Sequence, residues 1–106
     1  MTVLIEAAGR YEAAVGETVV LRLAENPGTG YRWEVTAADG LELVADAFEP
    51  PASASPGAEG HRSFTVLADR PGTAHLHVER RRAWEPAAVE TCEVEVQVTQ
   101  REGYQR

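Results

Sequence analysis

Apolar and polar residues alternate with a period of two along most of the chain, the period of a half-buried β-strand. In residues 18–23, "TVVLRL", Val19, Leu21 and Leu23 share one face, and Val20 and Arg22 share the other. In 31–35, "YRWEV", Tyr31, Trp33 and Val35 point one way, and Arg32 and Glu34 the other. In "TAHLHVE", Ala74, Leu76 and Val78 alternate with His75, His77 and Glu79. In "TCEVEVQV", Cys92, Val94, Val96 and Val98 alternate with Glu93, Glu95 and Gln97. "HRSFTVLA" alternates through Phe64 and Val66. Weaker strands are expected at 2–6, 41–44 and 47–48. No segment keeps a helical period.

Turn residues punctuate these runs. Asp39-Gly40 and Arg70-Pro71-Gly72 are tight-turn sequences, in which Gly supplies positive φ and Pro fixes its own φ. Residues 49–60, "EPPASASPGAEG", have no apolar period and form a loop that should be mobile at its centre. Short alternating strands at this spacing predict an all-β fold, an immunoglobulin-like antiparallel β-sandwich of about seven strands. Its core should hold Val19, Leu21, Trp33, Phe64, Leu76, Val78, Val94 and Val96.

With 106 residues the chain fits a single domain over 1–106, with 100–106 a frayed C-terminal tail. Apolar residues make up 43% and charged residues 25%, an ordinary globular balance. The formal net charge of −7 argues against a nucleic acid partner, which needs a basic footprint. There is no Lys, which excludes Schiff-base chemistry and a phosphate-loop lysine. No apolar run approaches the ~18 residues of a membrane span. No signal peptide is visible, so the chain as given is expected in the cytoplasm; removal of a leader would instead fit a secreted or periplasmic protein.

Few residues suggest chemistry. His75, His77 and Glu79 share a strand face at a spacing that can chelate a metal, but no further Cys or His cluster closes the shell. A solvated face is the better reading, and no metal or cofactor is expected. His61 sits at a loop exit, on the surface. Cys92 is in phase with three valines and reads as a small buried hydrophobe. "GTG" and "GAEG" neither precede a helix nor carry a Lys, so they are not phosphate loops. No nucleophile and base stand in sensible phase, and the chain is not expected to be an enzyme.

The loops carry more information. Residues 26–33 read "NPGTGYRW". A two-residue turn would join the flanking strands most simply. Instead the chain uses Asn26, Pro27, Gly28, Thr29 and Gly30, a stiff stretch without charge, before Tyr31. Residues 79–86, "ERRRAWEP", lie between a strand ending near Val78 and one starting near Val89. This reading puts three arginines and Trp84 at a hairpin tip. A solvated charge run with Trp84 folded onto the core is the plainer reading; Trp and Arg, however, are the residue types that dominate interface hot spots. In an immunoglobulin-like sandwich these two loops and the loop ending "GAEG" gather at one end.

The run "VGETVVLRLAENPGTGYRW" resembles the core motif of the chagasin family of cysteine-protease inhibitors. That family carries Asn-Pro-Thr-Thr-Gly followed by Tyr or Phe. Asn26, Pro27, Thr29, Gly30 and Tyr31 match, and Gly28 replaces the first Thr. Its second motif is Gly-x-Gly-Gly: Gly57 and Gly60 match around Ala58, and Glu59 departs. Its third is Arg-Pro-Trp: Arg82 and Trp84 match, and Ala83 departs. The resemblance implies an immunoglobulin-like fold and reversible, tight inhibition of papain-like cysteine proteases by a chain that is monomeric when free. It places the first motif in the protease cleft and the other two against the cleft walls. Thr29 is then best placed to meet the catalytic pair, Asn26 braces the loop, and Tyr31 and Trp33 anchor its base in the core. The alternative is a non-inhibitory binding module using the same rim for a peptide, a glycan or a protein.

Overall fold

A computed structural model describes residues 2–53 and 57–100. It contains eight strands, β1 (Thr2–Ile5), β2 (Gly9–Ala14), β3 (Thr18–Glu25), β4 (Tyr31–Asp39), β5 (Leu41–Glu49), β6 (Gly60–Ala68), β7 (Gly72–Arg82) and β8 (Glu90–Thr99). They form two four-stranded sheets, ordered β1-β3-β6-β5 and β2-β8-β7-β4. The expected tail beyond residue 100 and the centre of the 49–60 loop, at 54–56, lie outside the described residues.

The alternation does what its period requires. Val19, Leu21, Phe64 and Val66 from one sheet meet Leu76, Val78, Val94 and Val96 from the other, none more than 1% exposed. Trp33 completes the expected set at 6% exposed. β3 pairs β6, β5 pairs β6, β4 pairs β7 and β7 pairs β8, all antiparallel.

The detail departs from the expected seven antiparallel strands at both sheet edges. β2, "GRYEAA", is an additional strand, visible only through Tyr11 and Ala13. β1 pairs β3 in parallel and β2 pairs β8 in parallel. The chain crosses to the opposite sheet between β1 and β2 and crosses back before β3, so β1 and β3 run the same way. Residues 41–44 and 47–48 belong to one strand, β5. A bulge between Leu43 and Ala45 leaves Leu43 and Val44 exposed on this edge.

β7 is longer than expected. It runs to Arg82, and all three arginines are paired with β4 in the register Tyr31↔Arg82, Arg32↔Arg81 and Trp33↔Arg80. The arginines therefore belong to the sheet. Only Ala83, Trp84 and the residues up to Val89 form the hairpin tip.

Candidate functional site

Three loops leave the same end of the sandwich: 26–30 after β3, 50–59 after β5 and 83–89 after β7. At this end the inner faces of both sheets change character. On β3 the apolar phase Val19, Leu21, Leu23 continues into Glu25, and on β6 the phase Val66, Phe64 continues into Arg62. On β7 Val78 gives way to Arg80 and Arg82, and on β8 Cys92 gives way to Glu90. The core is thus closed towards the rim by a layer of charged and aromatic side chains.

Residues 26–30 fold into one 3₁₀ turn, Pro27–Thr29. Pro at its start needs no hydrogen-bond acceptor and arrives with φ already fixed. The Gly28 N–H donates to Asn26 Oδ1 at 2.9 Å, and the Thr29 N–H donates to Asn26 O at 3.2 Å. The Gly30 N–H donates to Pro27 O at 3.1 Å, and the Tyr31 N–H to Thr29 Oγ1 at 3.3 Å. Every backbone N–H from Gly28 to Tyr31 is therefore bonded inside the loop. Asn26 braces the turn as expected. Thr29 is exposed at the apex, but its hydroxyl donates to Asn26 O at 2.8 Å, so it also stiffens the turn. Gly30 has φ +82, and a Cβ there would sit 3.2 Å from Trp84 Cη2. The left-handed conformation and the tryptophan both favour glycine.

The third loop is tied to the first. Arg82 Nε donates to Thr29 O at 3.2 Å. Its guanidinium lies 4.3 Å from the Tyr31 ring centre and 5.7 Å from the Trp84 ring centre. Arg80 lies 5.6 Å from Tyr31 and 5.8 Å from Trp33, and pairs with Glu90 at 2.9 Å. Trp33, Arg80, Tyr31, Arg82 and Trp84 thus form a ladder of alternating aromatics and cations. Tyr31 was expected in the core with Trp33. It is only half-buried, because the residues opposite it on β7 are arginines rather than valines. Trp84 stays 71% exposed, and Ala83 beside it is exposed. Arg81 faces outward and bonds Glu34 at 2.8 Å.

In the second loop Gly57 and Glu59 are exposed and Ala58 is half-buried. Gly60 is buried as the first residue of β6. A Cβ there would lie 2.3 Å from Glu49 O and 2.7 Å from Phe48 Cζ, so only glycine fits. Its role is to let β5 and β6 close beneath the loop.

A cluster not anticipated from sequence supports all this. Glu25, 2% exposed, is the one buried charged residue among those described. Its Oε1 accepts the Trp33 N–H at 2.8 Å, and its Oε2 accepts from Arg62 Nη2 at 2.8 Å. Arg62 also donates to Asp46 at 3.0 Å. These carboxylates, Glu25 foremost, hold the Arg62 pKa above its ordinary value. The signal was present in the phase: a Glu and an Arg occupy apolar-phase positions on neighbouring strands.

The other candidates resolve simply. His77 lies between Glu93 at 3.1 Å and Glu79 at 3.3 Å on the outer face, and no metal-competent cluster exists among the described residues. His61 is half-buried on β6. Cys92 is buried, and burial first, then the Glu90 charge, pushes its thiol pKa up.

Comparison with known proteins decides the family. The sequence pattern of the chagasin family peptidase inhibitor I42 matches residues 12–98. The chain belongs to the chagasin family of peptidase inhibitors. No curated protein is similar enough in sequence to match. Among solved structures, the cysteine protease inhibitor EhICP2 from Entamoeba histolytica superposes with a TM-score of 0.80 at 16% identity, over 92% of this chain and 95% of that one. Amebosin gives 0.74 at 24% identity, over 92% and 96%. PbICP-C, solved in complex with falcipain-2, gives 0.60 at 15%, over 94% and 98%. These likenesses establish the sandwich as the chagasin fold.

Proposed function

We propose that this protein is a reversible, tight-binding inhibitor of papain-like cysteine proteases. It fills the active-site cleft with residues 26–31 and grips the walls with Gly57, Ala58 and Glu59 on one side and Arg82, Ala83 and Trp84 on the other; Gly60, expected among the contacts, is buried and supports that loop from below. The observation that carries the proposal is the self-bonded turn at 26–30, uncharged and projecting from a rigid sandwich, in a member of a peptidase-inhibitor family.

The turn explains why such a loop would block rather than be cut. A protease needs its substrate extended so that the scissile carbonyl meets the nucleophile in line. A 3₁₀ turn closed by i→i+3 bonds cannot extend without breaking them. It is also ordered before binding. Freezing a residue's backbone costs about 1 kcal/mol or more, so a five-residue loop set in advance spares on the order of 5 kcal/mol. No charge on residues 26–31 has to be stripped of water. The chain supplies no catalytic group.

Titration of papain, and separately of a cathepsin L type enzyme, tests this. Stoichiometric inhibition that reverses on dilution, with the chain intact, supports the proposal. Inhibition of neither enzyme, or cleavage between residues 26 and 31, would overturn it.

A further inference from the structure

The neck of the 26–30 loop needs a fastening that the sheets do not supply. β3 ends at Glu25 in one sheet, and β4 begins at Tyr31 in the other, so no ladder joins them. Two bonds cross the neck. The Trp33 N–H donates to Glu25 Oε1 at 2.8 Å, and Trp33 Nε1 donates to Ala24 O at 3.0 Å. Glu25 also stands opposite Gly60 in the β3–β6 register, at the base of the second loop. Arg62 holds its carboxylate through Nε at 3.2 Å and Nη2 at 2.8 Å.

A buried ion pair is a poor way to gain stability, since well-packed apolar residues often do as well. It is a good way to fix one geometry, because a desolvated carboxylate tolerates few arrangements. We propose that Glu25 is a positioning residue for the inhibitory rim. Its carboxylate, whose buried charge Arg62 balances, accepts from the Trp33 backbone and thereby fixes where residues 26–31 stand relative to the Gly60 side of the rim. The proposal rests on the inhibitor reading for its effect on affinity, but not for its effect on the loop.

Two double variants separate position from stability. Glu25→Leu with Arg62→Leu removes the charges and the acceptor for Trp33. Glu25→Gln with Arg62→Leu removes the charges and keeps an acceptor. The readouts are backbone amide order parameters of residues 28–31 in the free protein and the papain inhibition constant. In the Leu pair the order parameters should fall below about 0.6. If a tenth of the loops stay competent, the inhibition constant rises about 10-fold. The Gln pair should keep both readouts near wild type. A folded Leu pair with either readout unchanged overturns the proposal, as does a Gln pair as loose as the Leu pair. Should the Leu pair fail to fold, Glu25→Asp decides on the same two readouts, since it keeps the charge but falls short of Trp33. Wild-type protein that inhibits neither papain nor a cathepsin L type enzyme defeats the inhibitor reading, and the order parameters still test the clamp.

Discussion

Trp84→Ala offers the sharpest separation of binding from folding. A Trp side chain presents up to roughly 250 Å². With 71% exposed, about 180 Å² remains available to a partner. At about 25 cal/mol per Å², complete burial would be worth about 4 kcal/mol, and burial of half would be worth about 2 kcal/mol. Truncation should therefore weaken inhibition roughly 30-fold or more. The covered remainder, its tip over Gly30 and its contact with Arg82, bounds the loss of stability at under about 2 kcal/mol. The assay is a titration of active papain with wild type and variant, alongside thermal melts of both. An inhibition constant within about 3-fold of wild type would refute the hot-spot reasoning. So would an affinity loss wholly matched by a fall in stability, which would make Trp84 a support for the turn rather than a contact.

Thr29→Arg places an unpaired charge at the apex and should abolish measurable inhibition while the melt stays near wild type; Thr29→Ala loses only local hydrogen bonds and should cost affinity about 1 kcal/mol. Inhibition by Thr29→Arg equal to wild type would remove this loop from the cleft. Leu76→Ala should lower unfolding free energy by about 2–5 kcal/mol in denaturant titrations, because its site is sealed on all sides. Cys92→Ala should leave the inhibition constant unchanged, and the native thiol should resist iodoacetamide at neutral pH. Since its pKa is raised on folding, the unfolded chain ionises first, and stability should decline as pH climbs past the ordinary thiol range. Rapid alkylation of native protein, or stability that rises there, would contradict this.

The sandwich core was legible because alternation alone decides which side chains face inward, and each of its eight expected positions obeys it. The edges were not. β2 has too few apolar residues to register, and the direction of its pairing depends on which sheet the chain crosses to, which no local pattern records. At the rim the phase was legible but was overruled by polarity. Glu25, Arg62, Arg80 and Arg82 all keep the inward phase of their strands, and in sequence the charge run reads as a loop tip although each of its arginines has a partner on β4. The turn chemistry of Asn26, Pro27 and Gly30 was readable, since each acts within its own few residues. The use of Thr29 Oγ1 to stiffen the turn was not, because that depends on the turn type.

The three positions at which this chain departs from its family's motifs, Gly28, Glu59 and Ala83, are all exposed in the free protein. The positions that match include those with structural duties: Asn26 and Thr29 within the turn, Gly30 beneath Trp84, Tyr31 and Arg82 in the ladder, and Gly60 against Phe48. The framework thus lies with matching residues, several of which also belong to the rim, whereas the three departures are exposed rim positions outside it. Selection can retune which protease is gripped, one on each loop, without reopening the question of whether the protein folds. At Gly28 a Cβ would lie 3.2 Å from Asn26 Oδ1, so a larger residue there requires that side chain to give by a few tenths of an ångström. Libraries randomised at 28, 59 and 83 alone should hold mostly folded proteins that differ in the enzyme they prefer.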